Sequence, residues 1–302
     1  MMKKKMSVLM VAFMAITLVI AGCSNNKNTN NAGNGTASKD KKITLAYVAW
    51  DSETASTNVV KEVLKSKLNY KVEMLQVDAG PMYVGVADGS ADAMVGAWLP
   101  STHGENYYEP NKDKLEDLGV NLDGTKNGLV VPTYMDVTTI EDLNKEAVGK
   151  SVNYTITGIE PGAGLMTQTE NAVKEYNLSK WNLQESSSAA MVKVLQDAYA
   201  KKEPIVITGW TPHWMFADMD LKYLDDPKKV YGGSEQIHTL VRLGLKEDQP
   251  NAYRFLDQFE WTAADMEAVM GDISGGMSEE DAAKKWVDAN EEKVNKWIAG
   301  IE

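Results

Sequence analysis

Two distant stretches of this chain share one arrangement: "DAMVGAWLP" at 92–100 and "PIVITGWTP" at 204–212. Each is an apolar, β-rich run that ends on a tryptophan after a small residue, with a proline two positions on. Each also follows a helix-like segment that opens near a methionine, in "AGPM" at 79–82 and "SAAM" at 188–191. The interval from methionine to tryptophan differs (Met82 to Trp98, Met191 to Trp210), so what repeats is architecture and not close sequence identity. A chain that twice lays a strand after a helix and ends it on the same residue type is confined to α/β folds with parallel strands in each half.

The rest of the chain fits two such halves. Residues 43–49, "ITLAYVA", read as a buried strand. A helix follows, with Asp51 and Ser52 as candidate caps and Val59, Val60, Val63 and Leu64 on one face. Strands are predicted at 71–77 and 92–97, with a helix around 81–88 between them. In the second half the expectation is strands at 150–156 and 203–209, with helices near 163–176 and 189–200. The β-rich stretches 127–135 and 237–245 are candidate hinge strands, and 250–302 reads as helical. The expected fold is therefore α/β and two-lobed, each lobe a mostly parallel sheet flanked by helices, joined by two hinge strands. The partition is lobe 1 over 43–135, lobe 2 over 136–240, and a helical segment over 241–302 that returns across the hinge to a lobe the sequence does not identify. The 302 residues suit two lobes of ordinary size.

The N-terminus speaks to compartment. Lys3–Lys5, an apolar run from Val8 to Ile20 and the small residues Ala21 and Gly22 have the layout of a secretory leader over 1–22, too short to span a membrane. Cys23, the only cysteine, follows Ile-Ala-Gly. That context resembles the bacterial lipobox, in which the cysteine is lipidated and becomes the first mature residue. Residues 24–42 are rich in Asn, Gly, Ser, Thr and Lys without apolar periodicity and read, with Cys23, as a lipidated flexible tether over 23–42. The expected product is extracytoplasmic, anchored to the membrane by lipid. The full chain's formal charge of −12 argues against a nucleic-acid partner. Histidine occurs only three times, as His103, His213 and His238, which argues against a multi-histidine metal site.

Ligands of open parallel sheets bind beyond the carboxyl ends of the strands. Trp50, Trp98, Gly158 and Trp210 all fall just after predicted strands, so two facing sheets would converge them on one cleft. Three indoles suit a quaternary ammonium, which has no N–H to donate and carries its charge over weakly hydrated methyl groups. A desolvated cation–π contact is worth about 2 kcal/mol, so three bring on the order of 4–6 kcal/mol. The turn "TGIEPGAG" at 157–164 offers backbone N–H groups to an anion, and His103 adds a donor. A cationic box beside an anion site describes a betaine. Ordinary core packing is the competing reading for any tryptophan, and it is the expectation for Trp181, Trp261, Trp286 and Trp297. Trp214 and His213 are placed behind the box, and His238 on a hinge strand with a local partner.

At these residues the chain resembles the glycine-betaine-binding proteins of bacterial ABC importers, the OpuAC type. The resemblance rests on "LAYVAWDSE", "AGPM", "AWLPSTH", "GLVVP", "GIEPGAG", "TGWTPHWMF", "KYLDDP", "IHT" and "QPNA" and runs through 43–302. It implies a periplasmic-binding-protein-like fold of type II and a tryptophan prism formed by Trp50, Trp98 and Trp210. It also implies a ligand carboxylate held at Gly158, Ile159 and His103. Implied partners are glycine betaine or a related betaine, an ABC permease and its separate ATPase; no cofactor, metal or catalytic residue is implied. Two rivals are weaker on residues. A sugar site needs a fringe of Asp, Asn, Arg and Gln that the box lacks. A hydrolase of choline esters needs a serine with a paired histidine and acid, and "GDISGG" at 271–276 is no nucleophile elbow.

Overall fold

A computed structural model describes residues 41–301. The leader over 1–22, Cys23 and the tether through residue 40 lie outside the described residues. The last tether position is already structural, because Lys42 opens the first strand.

The first half alternates as its pattern dictates: β1 (Lys42–Tyr47), α1 (Asp51–Ser66), β2 (Lys71–Gln76), α2 (Ala79–Ala87) and β3 (Ala93–Leu99). β2, β1 and β3 are parallel neighbours in that order. α1 buries the expected face of Val59, Val60, Val63 and Leu64. Its N-cap is Trp50, however, and neither Asp51 nor Ser52 caps the helix, because both side chains are engaged elsewhere.

β4 (Leu115–Pro132) is the element that joins the halves. It is followed by α3 (Glu146–Ser151), β5 (Thr155–Thr157), α4 (Gly164–Glu175), β6 (Asn182–Gln184), α5 (Ser188–Lys201), β7 (Ile207–Thr211), α6 (Met215–Asp218), β8 (Leu221–Tyr223) and β9 (Glu235–Arg242). β6, β5 and β7 repeat the parallel trio. Leu115–Thr125 of β4 pairs antiparallel with β9, which is itself antiparallel to β3. Lys126–Pro132 of the same strand pairs antiparallel with β7 and β8. The crossing thus lies between Thr125 and Lys126, not at 135/136, and the stretch 127–135 belongs to the second half. The return is complete by Glu235, so β9 belongs to the first half and not to the segment ending at 240. Alternation of apolar residues marks a strand but not its partner, which is why the sequence put both borders late. Only the trio in each half is parallel; the crossing strands add antiparallel ladders.

The strand expected at 150–156 also shrinks. Residues 146–151 are helical, Asn153 and Tyr154 take the left-handed conformation (φ 53° and 52°), and only Thr155–Thr157 pair. The β-rich composition of the stretch gave no sign of that turn.

The chain ends in α7 (Leu245–Asp248), α8 (Pro250–Gln258), α9 (Ala263–Ser274), α10 (Glu279–Ala289) and α11 (Glu291–Trp297). These dock on the first half. Tyr253 donates to Glu116 of β4 (2.6 Å), the Ala252 N–H donates to Tyr70 (3.2 Å), and Lys65 of α1 pairs with Glu280 (2.8 Å). Trp286 and Trp297 stack with centroids 5.6 Å apart beside Phe259 and Trp261, as core.

Candidate ligand site

Between the halves lies a small cavity. β3 delivers Trp98, β7 delivers Trp210, and Trp50 stands at the start of α1; all three line it. A buried indole N–H needs an acceptor, and each of these finds one in the protein. Trp50 donates to Glu160, Trp98 to Glu53 Oε1 (2.7 Å) and Trp210 to Ser52 Oγ (3.2 Å), while Ser52 donates on to Glu53 Oε2 (2.6 Å). With those groups occupied, the indoles offer the cavity ring surface and no acceptor. No charged side chain is among the lining residues.

The other end of the cavity is polar. His103 is 1% exposed, and its Nδ1 accepts the Trp98 backbone N–H at 3.1 Å. Nδ1 is therefore unprotonated and the proton of the neutral ring sits on Nε2, a tautomer assigned from this bond. Burial holds the His103 pKa down at about 3, so the ring remains a neutral donor at physiological pH. Ile159 lines the cavity, and its backbone N–H meets only the Met166 thioether, a weak acceptor, at 3.3 Å.

Gly158 departs from expectation. Its N–H donates to the Gln184 carbonyl at 2.8 Å, continuing the β5–β6 ladder by one residue, and it is not among the lining residues. A Cβ here would lie 2.8 Å from Met166 Cε, so the glycine makes room for Met166. The structure thus brings together Trp50, Trp98, Trp210, His103 and Ile159, and leaves Gly158 one step behind.

Sequence reasoning passed over six lining residues: Ser52, Thr102, Asn127, Ala163, Gly164 and Leu165. Thr102 stood inside "AWLPSTH", one place before His103, and its neighbours already marked it. Its hydroxyl donates to Glu235 and accepts from Asn127 Nδ2 (2.6 Å). Gly164 opens α4 so close to the Thr102 carbonyl that any Cβ would overlap it.

Residues 50–52 also tie the halves together. Besides the bonds of Trp50 and Ser52, Asp51 accepts from Trp214 Nε1 (2.9 Å) and Ser188 Oγ (2.8 Å), both of the second half. His213 Nε2 stands 3.6 Å from the same carboxylate, too far for a hydrogen bond. Burial pushes the Asp51 pKa up, but His213 and the bonds from Trp214 and Ser188 outweigh it and bring the group to about 2. The His213 ring meets Trp210 edge-on at 4.7 Å, behind the cavity, as expected. His238 lies on β9, 3.0 Å from Asp117. Among the described residues no cluster of three or more His, Cys, Asp or Glu is placed to hold a metal, and no helix is long and apolar enough to cross a membrane.

Comparison with known proteins agrees with this architecture. The family described as the substrate binding domain of the ABC-type glycine betaine transport system matches residues 41–289. A curated relative, the glycine betaine/carnitine transport binding protein GbuC of Listeria monocytogenes, is 58% identical over 160 residues, 52% of this chain. That stretch spans about half of the relative, 53% of its length. Among solved structures, lactococcal OpuAC in its closed-liganded conformation with glycine betaine superposes with a TM-score of 0.81 at 48% identity, covering 86% of this chain and 100% of that one. The glycine betaine/L-proline-binding protein ProX of Borrelia burgdorferi gives 0.81 at 37% identity, over 86% and 97% of the two chains. This chain belongs to the family of substrate-binding domains of ABC-type glycine betaine transport systems.

Proposed function

We propose that the chain captures glycine betaine, or a close relative such as proline betaine or carnitine, outside the cytoplasmic membrane and delivers it to an ABC permease driven by a separate ATPase. The observation that carries this reading is the pairing of three indole faces, their N–H groups all engaged, with neutral donors across one small cavity. The trimethylammonium head fits against Trp50, Trp98 and Trp210. The carboxylate takes the Ile159 N–H in place of the Met166 sulfur and a second hydrogen bond from His103 Nε2. A zwitterion leaves no net charge in a cavity whose walls have none. Because the walls come from both halves, the ligand stabilises the closed arrangement by its differential affinity, and closure is what the permease reads. Cys23, in its lipobox context, would hold the protein at the membrane by a lipid chain. The role is binding, without catalysis or cofactor.

Calorimetric titration tests the reading. One saturable site for glycine betaine, no competition from maltose and no turnover of acetylcholine are expected. Absence of heat and of any thermal shift with glycine betaine, or competition by maltose, sinks it.

A further inference from the structure

Glu53 is a fully buried carboxylate directly behind the box, and nothing in the proposed binding scheme uses it. It lies in the first turn of α1, 1% exposed, against β3. The chain makes space for it: a Cβ on Gly96 of β3 would fall 2.5 Å from Glu53 Cγ, so any larger residue there evicts it. Both of its oxygens accept. Oε1 takes the Trp98 indole, and Oε2 takes the Ser52 hydroxyl, whose oxygen in turn takes the Trp210 indole. One carboxylate thus ends two hydrogen-bond chains that fix one indole from each half.

A neutral amide would accept the Trp98 N–H equally well. Its NH2 could donate to the second lone pair of Ser52 Oγ if the Ser52 hydroxyl turned its hydrogen elsewhere, so a charge is not the only way to hold the Trp98 indole. A buried carboxylate without a cation is expensive to keep. Among the largest influences on Glu53 the charged neighbour is Asp51, of the same sign. A cation arriving on the far side of Trp98 and Ser52 is the partner this arrangement lacks.

We propose that Glu53 is a specificity-determining positioning residue: through Trp98 and Ser52 it orients the box, and as its counter-charge it separates a cationic head from a neutral head of the same shape. This rests on the binding reading above. The ligand pair that tests it is glycine betaine and 3,3-dimethylbutanoate, which puts a neutral carbon in place of the nitrogen and keeps the carboxylate. Burial pushes Glu53 up to about 7, consistent with a charge held in reserve for a cation.

The experiment is calorimetry at pH 8 with both ligands on the full protein and on Glu53→Gln. Betaine affinity is expected to fall about tenfold, equivalent to ~1.4 kcal/mol, with dimethylbutanoate affinity unchanged. Equal losses for both ligands would mean a merely structural role and overturn the proposal, as would no loss at all. If the wild type itself does not bind betaine, the binding reading fails and not this one. Should Glu53→Gln not fold, the wild type decides alone. Its betaine-to-dimethylbutanoate affinity ratio is expected to rise between pH 6 and 8.5, and a flat ratio overturns the proposal. Across that window Asp51 on α1, at about 2, and His103 after β3, at about 3, keep one state, as does Tyr83 on α2, raised well above its usual value by burial. Glu160, bonded to Trp50 and raised by burial, is separated by Glu160→Gln, in which the rise should persist. Loss of the rise in that variant would move the role to Glu160 and refute the assignment to Glu53.

Discussion

Removing one methyl group from the ligand probes the box more sharply than removing a wall. N,N-Dimethylglycine has the shape of glycine betaine less one methyl, and its cationic nitrogen carries an N–H. Around the ammonium end the indole faces have nothing to receive that hydrogen, and the adjoining Ser52 Oγ keeps only its second lone pair. An indole is donor-only, all three indole N–H groups are already committed, and Ser52 Oγ both accepts from Trp210 and donates to Glu53. A buried donor left without a partner costs about 1–3 kcal/mol. The missing methyl forfeits a further ~0.8 kcal/mol of apolar burial. Together they amount to about 2–4 kcal/mol, or a roughly 30- to 900-fold weaker Kd. Calorimetric titration of both ligands at one pH measures the ratio directly. A loss below about threefold, no more than the methyl alone explains, would refute the claim that the indole faces offer no acceptor.

Other outcomes follow from neighbouring contacts. Gly164→Ala places a methyl group against the Thr102 carbonyl of the opposite half, which cannot yield as a side chain would. Overpacking of this kind costs about 1–3 kcal/mol, so betaine affinity should drop about 5- to 150-fold. His103→Ala removes one hydrogen bond to a carboxylate, worth about 1.5–3 kcal/mol of affinity. With that ring held near 3 by burial, wild-type binding should show no step from His103 between pH 6 and 8. Two carboxylates give stability opposite pH dependences, readable in urea melts. Asp51, lowered from 3.8 to about 2, contributes ~2 kcal/mol that is present above its unfolded pKa and lost as pH falls through 3.8 toward 2. Glu53, raised from 4.5 to about 7, favours the fold fully below 4.5 and loses ~3 kcal/mol as pH rises through 7, and Glu53→Gln should abolish that decline.

The three box tryptophans were legible because strand ends are legible: apolar β-rich runs stop where Trp98 and Trp210 stand, and Trp50 follows the first of them. Gly158 stands behind the cavity for a local reason. The sequence marks a turn after β5 but not that the ladder runs one residue into it, which spends the Gly158 N–H and leaves that of Ile159. Asp51, Ser52 and Glu53 were hidden by being plausible at a helix start, where short polar and acidic residues commonly cap. Their actual partners are indoles more than forty residues away, or in the other half. One physical cue was available: buried indoles need acceptors, and "WDSE" sets three candidates beside the first of them. The change of partner along β4 was not legible, since a strand's period does not say that its pairing switches after Thr125.

The central claim is geometric, and a crystal structure of the protein with glycine betaine tests it most directly. The account expects the ammonium within about 6 Å of the ring centroids of Trp50, Trp98 and Trp210, the cation–π range. It expects the carboxylate within hydrogen-bond reach of the Ile159 N–H and His103 Nε2, with Met166 displaced from Ile159. Density for the ligand outside this cavity, or with the ammonium at the His103 end, would contradict it.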